Sequence, residues 1–203
     1  MMRRLFISAL GTLLLTAGAV TAQTTALRTL NTTNDALAWQ SVGRLDWKNR
    51  GYCTGTLIAP DLVLTAAHCV YDRQTGVAVR PQDMRFRAGV TAGKSVAERG
   101  IAQIVAHRGF VPGTPMSPQN VRHDVALLRL ETPVPSSELA PFAPHRGAIR
   151  NGPVSVVSYG QGRSDALSRQ NQCQVIDQFD GVLVMDCDVT FGSSGAPVFT
   201  HLN

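Results

Sequence analysis

Beyond residue 23 the apolar positions fall in short runs broken by turn residues, with little helical periodicity. "TGTLIA", the turn "PD" and then "LVLTAAHC" predict two strands running into a compact turn that carries His68. "VALLRL" (125–130) and "PVSVVSYG" (153–160) are near-continuous apolar runs of strand length. "ETPVPSSELAPFAP" (131–144) holds four prolines and reads as the linker between two halves. The pattern predicts an all-β protein with two subdomains and no internal repeat.

One hairpin can be read in register. "QCQVIDQFDGVLVMDCD" has "FDG" at its middle, a three-residue loop with Gly181 in the left-handed position. Gln178 then opposes Val182, and counting outward sets Cys173 across from Cys187. By alternation that is a non-hydrogen-bonded pair, with Cα atoms about 4.5 Å apart, near the short end of disulfide geometry. The four cysteines form an even set, which favours disulfides in an exported chain. Their count alone allows three connectivities. The hairpin selects Cys173–Cys187 and leaves Cys53–Cys69. No Cys-x-x-Cys or His-Glu-x-x-His spacing is present, so no metal is expected.

Export itself is read from the N-terminus. "MMRR" is a short positive region, "LFISALGTLLLTAGAV" is uncharged and mostly apolar, and "VTA" before Gln23 fits a small-residue cleavage site. Residues 1–22 are therefore expected to be a signal peptide, too short for a membrane anchor. "RRLFI" partly matches a twin-arginine signal. Residues 23–38 are expected to be an arm or short prosegment. Without Arg3 and Arg4 the balance is 17 basic against 14 acidic residues, +3, with the charges scattered. That excludes a nucleic-acid-binding footprint, and no second run of membrane length follows. Periplasmic or extracellular residence as a monomer is the expectation.

Three stretches carry candidate chemistry. In "TAAHC", a Cys53–Cys69 bridge would staple the turn of His68 to the preceding strand and fix an imidazole as a general base needs. In "RHDVALLRL", Asp124 stands at the entrance to an apolar run. It can accept the Nδ1–H of His68, setting its tautomer and stabilising the imidazolium. In "FGSSGAPVF", a serine needs such a base to become a nucleophile near neutral pH. Gly192 lets the backbone turn so that its N–H and that of Ser194 face one oxyanion, and Gly195 leaves space behind the serine. The α/β-hydrolase elbow Gly-x-Ser-x-Gly does not fit, since Ala196 holds its last place and the order His68, Asp124, Ser194 differs.

"TAAHC", "DVALLRL" and "GSSGAP", in that order, resemble the chymotrypsin/trypsin-like serine peptidases, with similarity to their bacterial trypsin-like and glutamyl-endopeptidase branches. The resemblance runs from about Trp39 to the end. It implies two antiparallel β-barrels with the site in the cleft between them: residues 39–130 with His68 and Asp124, and residues 145–203 with Ser194. It also implies hydrolysis of protein or peptide substrates without a cofactor. Carried over motif by motif, His68 is the base, Asp124 its orienting acid, Ser194 the nucleophile and Gly192 an oxyanion donor. Ser193 stands where animal trypsins have an aspartate that pairs with a freshly cut N-terminus, so that activation is not expected. Asp188 and Thr190 match pocket positions. The first implication is a basic P1 residue; an acidic P1 is the alternative, because glutamate-specific relatives share the aspartate. Only nine residues follow Ser194, so the second barrel is expected to be incomplete and the chain a shortened version of a longer peptidase. The rival expectations are a peptidase-fold binding module without turnover, or an inactive truncated form.

Overall fold

The computed structural model describes residues 24–48, 51–147 and 152–200. The expected signal peptide lies outside the described residues. Among the described residues, eleven strands follow in chain order. After β1 (Arg28–Thr29), the first half holds β2 (Val42–Trp47), β3 (Gly51–Ala59), β4 (Leu62–Thr65), β5 (Met84–Ala88), β6 (Ala97–Ala106) and β7 (Ala126–Leu130). These six close into an antiparallel barrel in the order β2-β3-β4-β7-β6-β5. Alternation explains the closure: Met84, Phe86 and Ala88 of β5 and Ala126, Leu128 and Leu130 of β7 point inward. The run 125–130 is apolar but for Arg129, yet Val125 and Leu127 are exposed. Pro60 and Asp61 make the tight connection from β3 to β4, with Ala59 opposite Leu62.

The proline-rich stretch after β7 is packed against the barrel. Val134 and Leu139 are buried in its core, and the Val134 and Phe142 amides donate to the carbonyls of Pro60 and Leu57. The second half holds β8 (Gly152–Gly160), β9 (Arg163–Phe179), β10 (Val182–Met185) and β11 (Val198–Thr200). Among the described residues they form one five-stranded sheet in the order β1-β9-β8-β11, with β10 also on β9. The arm before the first barrel thus belongs to the second sheet. Arg28 opposes Arg169, and Leu30 and Ala36 are buried with Val42, Val90, Val157, Tyr159 and Leu167.

The β9–β10 hairpin corrects the expected turn. Phe179 pairs with Val182, so the loop is the two residues Asp180 and Gly181, both at positive φ (47° and 78°), as a type I′ turn requires. The register is therefore displaced by one residue near the tip. A bulge restores it: the pairing steps from Val184↔Asp177 to Met185↔Val175, leaving Ile176 as the extra residue. Cys173 and Cys187 consequently meet as expected and are disulfide-bonded, with Cα atoms 5.1 Å apart.

Candidate active site

His68 lies in the one-turn 3-10 segment Ala67–Val70 directly after β4, and Cys69 beside it is bonded to Cys53 of β3. Asp124 follows the short helix Pro118–Arg122 and its C-cap His123 and leads into β7. Since β4 and β7 are paired neighbours, with Thr65 opposite Ala126, the two residues meet at the same barrel rim. Asp124 grips His68 twice: Oδ2 lies 2.6 Å from Nδ1, and Oδ1 accepts from the His68 amide at 2.8 Å. A carboxylate offers only acceptors, so Nδ1 carries a proton and, in the neutral ring, Nε2 is the acceptor. Asp124 is the more buried partner, with 12% of its side chain exposed against 27% for His68.

Ser194 and Gly192 line one cleft of about 210 Å³ together with His68. Two bonds orient the amides of this loop. The Gln161 amide donates to the Phe191 carbonyl (2.7 Å), and the Ala196 amide donates to the Ser193 carbonyl (2.9 Å). In a trans peptide the N–H points opposite to the C=O. Each carbonyl bond therefore turns the following amide, of Gly192 and of Ser194, the other way. Gly192 sits at φ 95°, and a Cβ there would run into the Tyr52 ring; at Gly195 (φ 80°) it would meet Thr65 Oγ1 and the Thr54 carbonyl. Neither place admits a larger residue without displacing the loop.

Thr54 and Tyr52, both on β3, escaped the motif reading. The Thr54 amide donates to the Ser194 carbonyl (2.9 Å). Its hydroxyl donates to the Gly192 carbonyl (2.8 Å) and accepts from the Tyr159 amide (3.1 Å). Their only trace in the sequence is the place of "YCT" one strand before the His68 turn. Burial pushes the Tyr52 phenol, whose ring lies under Gly192, up from its ordinary value. Ser193 is also buried; its hydroxyl donates to the Tyr159 carbonyl (3.0 Å) and lies 3.1 Å from Ser158 Oγ, so neutral neighbours satisfy it.

The structure does not bring the expected pocket residues into the cleft. Asp188 is exposed, with its amide donating to Gln170 Oε1 (2.7 Å) and its carboxylate facing Gln170 Nε2 (3.4 Å). Thr190 is exposed and accepts from the Gln161 amide (3.2 Å). Asp188 thus stands beside Gln170 of β9, outside the lining of the 210 Å³ cleft. Among the described residues, Cys53, His68 and Cys69 form the one cluster with metal-ligand atoms in reach. Both sulfurs are spent in the disulfide, which leaves no thiolate to bind an ion.

A family profile described as "Trypsin-like peptidase domain" matches residues 53–203. Serine protease SP24D of Anopheles gambiae is 31% identical over 131 residues, 61% of this chain and 44% of that protein. Serine protease 23 of Bos taurus is 26% identical over 166 residues, 74% of this chain and 44% of that protein. The chain thus spans less than half the length of these relatives. Among solved structures, a Glu endopeptidase in complex with MPD superposes with a TM-score of 0.71 at 15% identity, covering 88% of this chain and 81% of that one. The scabies mite inactivated protease paralogue S-D1 does so with a TM-score of 0.63 at 16% identity, covering 81% and 78%. At these identities the structural likeness bears on the fold, a chymotrypsin-like pairing of a closed barrel with a second sheet. The profile match, which extends over most of the chain, is what establishes that this protein belongs to the trypsin-like peptidase family.

Proposed function

We propose that the chain is an exported serine endopeptidase that cleaves peptide bonds through an acyl-enzyme. The observation that carries this reading is the two-point grip of Asp124 on His68, in a cleft that Ser194 also lines. In this scheme His68 Nε2 removes the Ser194 hydroxyl proton as the oxygen attacks the substrate carbonyl. Asp124 steadies the imidazolium, and the Gly192 and Ser194 amides receive the oxyanion. His68 then gives the proton to the leaving amine, and a water repeats the cycle on the ester. Two disulfides favour an oxidising compartment, and no helix among the described residues is long and apolar enough to cross a membrane.

The test is labelling of the oxidised protein by a fluorophosphonate probe beside Ser194→Ala and His68→Ala. Labelling lost in both variants supports the reading. Absence of labelling in a folded sample overturns it and favours a binding module without turnover. Peptide profiling then addresses P1. A basic preference through Asp188 is expected to be small, about fivefold or less, because an exposed ion pair contributes little.

A further inference from the structure

The cleft holding His68 and Ser194 does not end at the barrel rim. Trp47 and Arg73 line it, and the same two residues line a larger cavity of about 1020 Å³. That cavity is framed by the end of β2 and by the segment from Tyr71 to Asp83, which begins two residues after Cys69. It therefore stands on the His68 side of the cleft. In acyl transfer the leaving amine takes its proton from His68, so the chain beyond the scissile bond departs on that side.

Arg73 occupies the junction. Its guanidinium lies 5.5 Å from the centroid of the Phe191 ring, and Phe191 directly precedes Gly192. The contact joins the loop after His68 to the loop of the nucleophile across the mouth of the cleft. Among the described residues, the other cations of the cavity are matched to a carboxylate: Lys48 and Arg80 reach Asp83 at 3.5 and 2.8 Å. Asp72, next to Arg73, is turned into its own loop, where Oδ1 accepts from the amides of Gln74 and Thr75. Arg73 thus faces an aromatic ring, which a carboxylate can readily replace as partner.

We propose that Arg73 selects an acidic side chain on the C-terminal side of the scissile bond, where this cavity opens from the cleft. The inference rests on the peptidase reading. Trp47, Tyr71 and Val79 supply apolar walls for the neighbouring side chains.

Two arms test it. In the first, the protein cleaves paired peptides that differ only in carrying Glu or Gln within the three positions after the scissile bond. The Glu peptides are expected to be preferred roughly three- to fivefold. Arg73→Gln should bring the ratio to about one, and Arg73→Glu should invert it. A ratio indifferent to Arg73 overturns the proposal. The second arm needs no turnover: the corresponding product peptides are titrated onto Ser194→Ala, with and without Arg73→Gln, and binding is read by fluorescence anisotropy. Tighter binding of the Glu peptides that Arg73→Gln abolishes supports the proposal even if the peptidase reading fails. Equal binding of both peptides overturns it.

Discussion

Thr54 is fully buried, and its hydroxyl and amide hold the carbonyls of Gly192 and Ser194. Thr54→Val keeps the shape but leaves the Tyr159 amide and the Gly192 carbonyl unpaired. Each unsatisfied buried group costs about 1–3 kcal/mol. Thr56 is the natural control, since it is equally buried and its Oγ1 makes no hydrogen bond. We expect Thr54→Val to lower the urea midpoint and slow fluorophosphonate labelling, and Thr56→Val to do neither. Equal behaviour of the two variants would remove Thr54 from the site's support. At this scale the candidate chemistry was legible, because "TAAHC", "RHD" and "GSSGAP" are local words. Thr54 was not: a threonine in an apolar strand looks the same whether or not its hydroxyl has partners.

Elements decide how those words meet. The Cys53–Cys69 bridge ties β3 to the His68 turn over a sequence separation of 16. Closing such a loop stabilises by roughly 3 kcal/mol in the chain-entropy model. The paired change Cys53→Ala/Cys69→Ala should cost about that much, measured by denaturant unfolding, and should also depress labelling at Ser194. Cys173→Ala/Cys187→Ala is expected to lose comparable stability while largely retaining labelling, because its bridge joins β9 to the segment that follows β10. If both pairs retain labelling equally, the Cys53–Cys69 staple does not position His68. The β9–β10 hairpin shows the limit of reading register from sequence. Alternation and an Asp-Gly turn were visible, but nothing local announces a bulge at Ile176. The bulge keeps Val175 buried and Ile176 exposed, which is a matter of what packs on each face.

Across the whole molecule, Tyr159 of β8 joins the two halves. It is fully buried, and the Val90 amide just beyond the first barrel donates to its hydroxyl at 2.7 Å. Burial holds the phenol above its ordinary value near 10, against the weaker opposing pull of the Val90 bond. The folded protein thus keeps a proton that the unfolded chain releases. The resulting stability is fully present below about pH 10 and is lost as pH rises towards the folded value. Tm should therefore fall above pH 10. Tyr159→Phe should start lower, having lost Val90's acceptor, but decline less over that range; parallel declines would show that Tyr159 carries none of the alkaline sensitivity. By itself the sequence determined the strand-rich class, the two halves, both disulfides and the three local motifs, because alternation, turn residues and short-range geometry are written in neighbouring positions. Only the tertiary structure decided that the arm from residue 24 joins the second sheet, that Asp188 is exposed, that Thr54 supports the loop of Ser194 and that Arg73 spans the cleft. Each depends on which distant surfaces exclude water from one another, and no spacing along the chain encodes that.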